Sequence, residues 1–539
     1  MPKKVINLLP ILVFTCTVLM GGGKLLFQFS ITALLLISVF IILSLKINKT
    51  SIQKEILVPA TLMVFWLMIT FFTTKCFYPS FKDFLQFFVY AIFYITMLNY
   101  ADSNKTSWAF HLLNIMQSIV VIWQNFIGAA PYGLFPDNPN LVMGFIAALT
   151  IFAAARVLFQ ETTVEKREKI ACYISLLTGI FGILCGRSRS VLVIFIILMM
   201  ILIWKKYGKN GLILNVFVLI GLIALFSIKI SDKYLKINDP LAFYRPQLWY
   251  SAVKMTADNP VYGVGLGNYG KIFPRYNFPV ENEALRYGKY TDFAHNEYLQ
   301  MAAEAGIPGF LILLWLIYML LRRTGKYRFL LYPSIILLFQ AFFDMNLHLP
   351  ANVMLLLALY AMAEQKSGNS TQIRLEKYNV YLIPALVLIG LFYAAFLASD
   401  ISARKNDYAG AIKCNPLNPE NYYKMAVSSQ YNTAQGIKML KNAVFLDPEN
   451  YLYHSELGYI YWHLAFKDRP LVKYALEEFN SSLEKNPFNA QTYLSLGKLY
   501  FDIGEYPNTI KCIDKALQLE PNFIQAQRLK NDFLKKGIK

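Results

Sequence analysis

Apolar runs with few charges recur along the first 400 residues of this chain, about as long as a helix that crosses a hydrocarbon layer. Such a crossing takes about 20 apolar residues, somewhat fewer where flanking side chains reach back to the headgroups. Spans are predicted at residues 5–22, 25–45, 56–74, 83–99, 108–129, 140–159, 170–186, 189–204, 211–229, 307–321, 329–346, 350–364 and 379–398. Lipid offers the backbone no hydrogen-bond partners, so each run must satisfy its own N–H and C=O groups as a helix. The predicted fold class is therefore all-α: a polytopic bundle of about 12–13 spans filling residues 1–400, with a long loop at 230–306. A chain 56% hydrophobic and 16% charged, with mean hydropathy +0.40, is not one soluble core. The opening "MPKKVINLLPILVFTCTVLM" has the basic flank and apolar stretch of a signal peptide. It lacks a small-x-small cleavage site and another apolar run follows at once, so it is read as a retained first helix.

The net charge of +19 is consistent with orientation in a bilayer rather than with a grip on nucleic acid. With a cytoplasmic N-terminus the inner loops include "KINKTSIQKE" (46–55), "EKREK" (165–169), "KKYGK" (205–209) and "RRTGKYR" (322–328). The short outer loops "GGGK", "TKCFYPSFK", "PYGLFPDNPN", "GRSRS" and "DMNLHLP" carry far fewer basic residues. One outer loop runs against the bias, because Arg187 and Arg189 sit in it together. The six cysteines form no CxxC pair and read mostly as small apolar fillers.

After the last span the composition becomes that of a soluble helical domain, assigned to residues 405–539. Pro487 and Pro521 stand 34 residues apart; Gly458 and Gly497 stand 39 apart because the earlier unit has an insertion near "KDRP". A degenerate third unit ends at "AVFLDP" (443–448). These units resemble tetratricopeptide repeats, helix pairs of period 34 that stack into a concave surface. The expectation is an adaptor that binds a protein partner or docks, placed outside the cytoplasm by the odd span count.

Two arginines in "CGRSRSVLVIF" interrupt apolar helix, where a guanidinium is costly unless solvated or paired. They are either a tight turn with arginines reaching headgroup phosphates, or an anion site, since Arg makes permanently charged bidentate contacts with phosphate. The long loop adds "FYRPQLWYSAVKMTADNPVYGVGLGNYG" (243–270): Arg245, an amphipathic helix through Trp249 and Met255, then a glycine-rich turn after Pro260. No strand precedes Gly263, Gly265, Gly267 and Gly270, so a dinucleotide site is excluded. These glycines permit sharp turns and close backbone approach to a membrane surface or ligand. In "AHNEYLQMAAEAGIPGF" (294–310) Asp292 is the expected N-cap of a helix over about 293–305, ended by Gly306, with Pro308 opening the next span. His295 then falls in the first turn, where the dipole favours a neutral, proton-accepting imidazole. The plainer alternative is a histidine capping the helix or bonded to backbone.

Three blocks in order, "GRSRSVLV" (186–193), "RPQLWYSAVKMTADNPVYGVGLGNY" (245–269) and "AHNEYLQMAAEAGIPG" (294–309), resemble the O-antigen ligase and polymerase superfamily. The resemblance implies transfer of glycan from a polyprenyl diphosphate to an acceptor at the outer face of the inner membrane, without metal, nucleotide sugar or other cofactor. By motif position Arg189, Arg245 and His295 match the basic residues of the three blocks, and Arg187 is an additional one. The chemistry agrees: arginines stabilise the departing diphosphate and His295 takes the proton of the acceptor hydroxyl. Asp292, Asn296, Glu297 and Glu304 are expected to support, orienting His295 or pairing with the arginines. A lipid, a lipid-linked glycan and a protein hydroxyl all remain open as acceptors. A transporter or a scaffold displaying the repeats is disfavoured because the ionisable groups gather at one face rather than mid-span.

Overall fold

The computed structural model describes residues 6–47, 50–136, 138–159, 166–225, 244–281, 285–367, 372–428 and 433–535. Each predicted span coincides with a helix. They are α1 (Leu9–Leu19), α2 (Leu26–Ile47), α3 (Lys54–Thr73), α4 (Phe77–Tyr100), α5 (Ser103–Phe126), α6 (Pro139–Phe159), α7 (Lys166–Cys185) and α8 (Arg189–Leu225). The loop segments α9 (Arg245–Asp258) and α10 (Tyr269–Ile272) follow. Then come α11 (Glu297–Thr324), α12 (Arg328–Gln340), α13 (Pro350–Ser367) and α14 (Asn379–Arg404). Among the described residues nine helices are long and apolar enough to cross a membrane, and α1 and α12 are shorter apolar helices. The protein is an all-α, multi-pass membrane protein.

The two spans expected at 189–204 and 211–229 both fall on α8, which is not one rod. Gly208 takes non-helical angles (φ 57°, ψ −129°). The Asn215 side-chain amide then donates to the Met200 carbonyl at 2.9 Å, although a straight helix would set residues that far apart by about 22 Å. The chain therefore reverses at Gly208, and residues 226–229 of the second span lie outside the described residues.

α6 is the centre of the bundle. Its run "FIAALTIFAAA" is apolar all round and rich in alanine, and Leu141 to Ala155 are buried without interruption. Small side chains let neighbouring helices approach closely, which is what packs helices where lipid is as apolar as the interface. α7, α8 and α12 all pack on it. Up-and-down connectivity sorts the loops to two ends. At one end β1 (Ser51–Gln53) pairs antiparallel with β2 (Gln372–Arg374), and Arg323 Nε donates to Glu364 Oε1 at 2.5 Å. The other end carries residues 244–281 and 285–296, folded around a small core of Leu248, Ala252, Met255, Tyr269, Phe273 and Ala294.

Beyond α14 the chain forms α15 (Tyr408–Cys414), α16 (Pro419–Val427), α17 (Thr433–Leu446), α18 (Tyr451–Ala465), α19 (Leu471–Lys485), α20 (Ala490–Asp502), α21 (Tyr506–Leu519) and α22 (Ile524–Lys535). Successive helices pack in order along the stack. The repeat glycines permit this closeness: a Cβ at Gly458 would sit 3.0 Å from the Phe479 ring, and one at Gly497 would sit 3.2 Å from Cys512 Cβ. The stack rests on the same end of the bundle as residues 244–296.

Candidate functional site

Helix α11 starts at Glu297, four residues later than its sequence suggests. Its N-cap is Asn296, whose side-chain oxygen accepts the N–H groups of Tyr298 (3.1 Å) and Leu299 (3.0 Å). Asp292, expected as the cap, is exposed and accepts the Tyr290 hydroxyl at 3.0 Å. His295 consequently lies outside the first turn rather than in it, in a left-handed conformation (φ 51°). The helix-dipole argument for its neutrality loses its basis. Gly306 does break α11 (φ 70°, ψ 179°), with Pro308 in the continuation.

That break explains the glycine-rich turn. The Ala303 and Glu304 carbonyls, left over at the broken helix end, accept the N–H groups of Val264 and Gly265, both at 2.9 Å. Gly263 (φ 66°) lies so close that a Cβ there would overlap the Glu304 backbone. At Gly263 the close approach is thus to α11 itself, while a Cβ at Gly265 would meet Thr74 and one at Gly267 would meet Asp83.

His295 meets Asp344, four residues beyond the C-terminal end of α12. His295 Nδ1 lies 3.1 Å from Asp344 Oδ1, and Arg245 Nη2 lies 3.1 Å from Asp344 Oδ2. Asn140, in the first turn of α6, donates to Oδ2 at 2.6 Å, and the Met345 N–H donates to Oδ1 at 2.9 Å. Asp344 is fully buried. Burial alone would raise its pKa, but the hydrogen bond and charge of His295, with the Arg245 guanidinium, outweigh burial and hold it below the usual carboxylate range. An imidazole whose Nδ1–H donates to a carboxylate carries its lone pair on Nε2. The Trp249 indole N–H reaches the His295 carbonyl at 3.3 Å, tying this strained residue to α9, the helix that Arg245 begins.

Glu297 and Glu304 do not take the partners expected of them. Glu297 accepts the N–H groups of Leu347 (2.7 Å) and His348 (3.0 Å) and pairs with His348 Nδ1 at 2.7 Å, fastening the Asp344 loop to α11. Burial would lower the His348 pKa, but the Glu297 carboxylate reverses that and holds it up to about 9. Glu304 accepts the N–H groups of Gly267 (2.9 Å) and Tyr269 (3.3 Å) and the Gln300 amide (3.1 Å). Both glutamates organise backbone around the site.

Arg187 and Arg189 sit in the α7–α8 turn. Arg187 is left-handed (φ 56°) and its Nη2 donates to Asn125 Oδ1 at 2.8 Å; Arg189 is the first residue of α8. Gly186 presses on Met143, one turn along α6 from Asn140. The N-terminal end of α6 therefore touches both the arginine turn and the Asp344 cluster. Among the described residues only Arg187, His295 and Asn406 combine a side chain with positive φ. Strain of this kind persists where surrounding structure enforces it, often at functional sites. Asp344 and Asn140 were not anticipated; the available signal was one carboxylate in the short outer loop "DMNLHLP", which also holds a histidine.

A multi-pass helical bundle with cations, an imidazole and a buried carboxylate joined at one end defines the class. Residues 174–314 match the family model described as O-antigen ligase. The match lies within the membrane part and covers about a quarter of the chain; it likens that part to the O-antigen ligase and polymerase superfamily, whose role in coarse outline is membrane glycosyl transfer. No curated protein matches the chain. Among solved structures it is similar to "Crystal structure of MamA", with 25% identity over 26% of this chain and 85% of that one, at a TM-score of 0.22. At that score the likeness bears no weight.

Proposed function

We propose that the protein transfers a glycan from a polyprenyl diphosphate carrier to an acceptor hydroxyl at the outer face of the inner membrane, as a ligase. The observation that carries this reading is the shared carboxylate: His295 and Arg245 sit 3.1 Å from opposite oxygens of Asp344. Asp344 orients the imidazole so that Nε2 takes the acceptor proton, and it stabilises the imidazolium that forms. Arg245 spends one N–H on Asp344 and keeps further donors of its planar fork for a diphosphate oxygen. Arg187 and Arg189 add charge to the same end. In the reaction the bond from the sugar C1 to the diphosphate oxygen breaks, the acceptor oxygen bonds to C1 with inversion, and polyprenyl diphosphate leaves with its negative charge held by guanidinium groups. The arginines supply the positive charge, so the mechanism requires no metal.

The test is incubation of the purified protein with a polyprenyl diphosphate-linked oligosaccharide and separate lipid, glycan and peptide acceptors, reading which molecule gains sugar. Transfer to a lipid-anchored acceptor supports the ligase reading. Chain growth on the carrier itself would make the protein a polymerase, and transfer to peptide a protein glycosyltransferase. Absence of both transfer and donor binding would overturn the reading.

A further inference from the structure

The repeat helices meet the membrane part along one recurring structural position. Each unit ends in a turn whose residue before proline is buried: Asn415, Asp447, Asn486 and Glu520, followed by Pro416, Pro448, Pro487 and Pro521. These turns line one edge of the stack, and that edge faces residues 75–78, 271–275 and 286–287. Asn415 Nδ2 donates to the Tyr78 hydroxyl at 3.0 Å. Asp447 accepts the Cys76 thiol at 3.1 Å and forms an ion pair with Lys271 Nζ at 2.9 Å. Two residues further, buried Glu449 pairs with Arg275 and lies 3.3 Å from Lys75. Phe488, two residues after Asn486, stacks on Tyr287 with centroids 4.7 Å apart and rings 6° from parallel. Glu520 accepts the backbone N–H groups of Arg286 (2.8 Å) and Tyr287 (3.0 Å), one carboxylate oxygen to each. Cys76 is therefore part of a polar junction rather than an apolar filler.

The segments gripped in this way are those that position the site. α10 and the turn after it carry Lys271 and Arg275 toward the repeats. From the same segment, the Tyr269 hydroxyl donates to the Leu248 carbonyl at 3.3 Å, and the Tyr276 carbonyl accepts the Ser251 hydroxyl at 2.7 Å. Leu248 and Ser251 lie in α9, whose first residue is Arg245. On the other side, the stretch held by Glu520 runs eight residues from Tyr287 to His295. The core under residues 244–296 is small, so external fasteners carry much of its order.

We propose that the repeat stack is a positioning element of the transferase: its inter-repeat turns, through Asp447 on Lys271 and Glu520 on the 286–287 backbone, hold the outer loop so that Arg245 and His295 keep their shared geometry. This rests on the transferase reading above, and it assigns the repeats a role in the reaction besides any partner they bind. Lys271 and Glu520 touch no substrate; they act through the loop.

The experiment uses the full chain in its membrane, with Lys271→Met and Glu520→Gln combined and with Lys271→Arg as the conservative variant. The expected result has three parts. Amide exchange of residues 285–296 rises at least tenfold while that of α18–α21 is unchanged. Turnover falls at least tenfold, and by more than equilibrium binding of polyprenyl diphosphate weakens. Lys271→Arg restores most of both losses. Faster exchange with normal turnover would overturn the proposal, as would unchanged exchange. Faster exchange in α18–α21 themselves marks loss of the repeat fold; the readout is then Lys271→Met alone, which leaves every repeat residue in place, and normal turnover in that variant overturns the proposal. If the unaltered protein transfers no glycan, the functional reading fails, while the exchange comparison still decides whether the repeats order the loop.

Discussion

The two ends of the bundle use the same charged residue types to opposite effect. At the end bearing the β1–β2 pair, Arg323 is bound to Glu364 Oε1, to the Ser367 hydroxyl at 3.0 Å and to Glu55 at 3.4 Å, and Arg156 is bound to Glu168. Both guanidinium groups are largely buried, and Arg323 is bonded on several sides, so they lock α11 to α13 and α6 to α7. At the opposite end Arg245 meets one oxygen of Asp344 while its side chain stays 33% exposed, and His295 reaches the other oxygen with its side chain 25% exposed. There the buried partner is the carboxylate, and the cation and imidazole remain open to an incoming molecule. Arrangement, not composition, distinguishes a helix fastener from a reactive cluster.

The comparison breaks most readily at His295 and Arg245. His295→Ala and Arg245→Ala are each expected to lower transfer by about 10³-fold or more, with membrane insertion and the overall fold retained and a lower melting temperature because buried Asp344 loses a partner; normal transfer by either would sink the assignment. Asp344→Asn preserves shape but removes the charge that orients the imidazole, and a loss of about 10²–10⁴-fold in turnover is expected, with donor binding less affected. At the other end Glu364→Ala leaves Arg323 without its buried partner. A destabilisation of about 3 kcal/mol is expected, read by thermal or denaturant unfolding in detergent, with turnover per folded molecule retained. A large turnover defect in that variant would erase the distinction between the two ends.

Two smaller effects sharpen it. Arg187→Gly relieves a left-handed backbone worth about 1 kcal/mol while removing a guanidinium. Stability equal to or above that of the unaltered protein, with weaker donor binding, is the expected pair of results. The Glu297–His348 pair gives a pH signature. The folded pKa of His348 is raised to about 9, above its unfolded value of about 6.5. Its contribution to stability is therefore complete below about pH 6.5 and lost as pH rises through about 9. His348→Gln should remove that alkaline slope in melting temperature between pH 7 and 10; a slope unchanged by the substitution would exclude the pair as its source. The lowered pKa of Asp344 acts with the opposite sign: its contribution is present above the ordinary aspartate range and disappears as pH falls through its folded value.

Much of the architecture was legible before any coordinates. Runs that bury their own backbone bonds in lipid have one local solution, so the positions of the spans, including the reversal near Gly208, followed from apolar length alone. Gly306 marked the break in α11, and the recurrent Gly and Pro marked the repeats. The arginines and His295 were likewise visible as polar groups where apolar ones belonged. Other features were misplaced because they depend on neighbours. Asp292 has the chemistry of a cap, but the Glu297 N–H donates to the Ala341 carbonyl at 2.9 Å and α11 starts there instead. The glycine-rich turn packs on a broken helix end and against Thr74, Asp83 and Asp292, none of which is near it in sequence.

What sequence alone determined about this protein is local: which segments are helices, where they stop, which loops are basic, and which period the repeats follow. Each of these depends on residues a few positions apart, through backbone hydrogen bonds and side-chain pattern. Only the tertiary structure decided that Asn140, Arg245 and His295 converge on Asp344, and that repeat turns at 447 and 520 close on the loop between them. Those partners lie tens to hundreds of residues apart, and what selects them is the burial of a carboxylate that must find cations and donors once the helices pack.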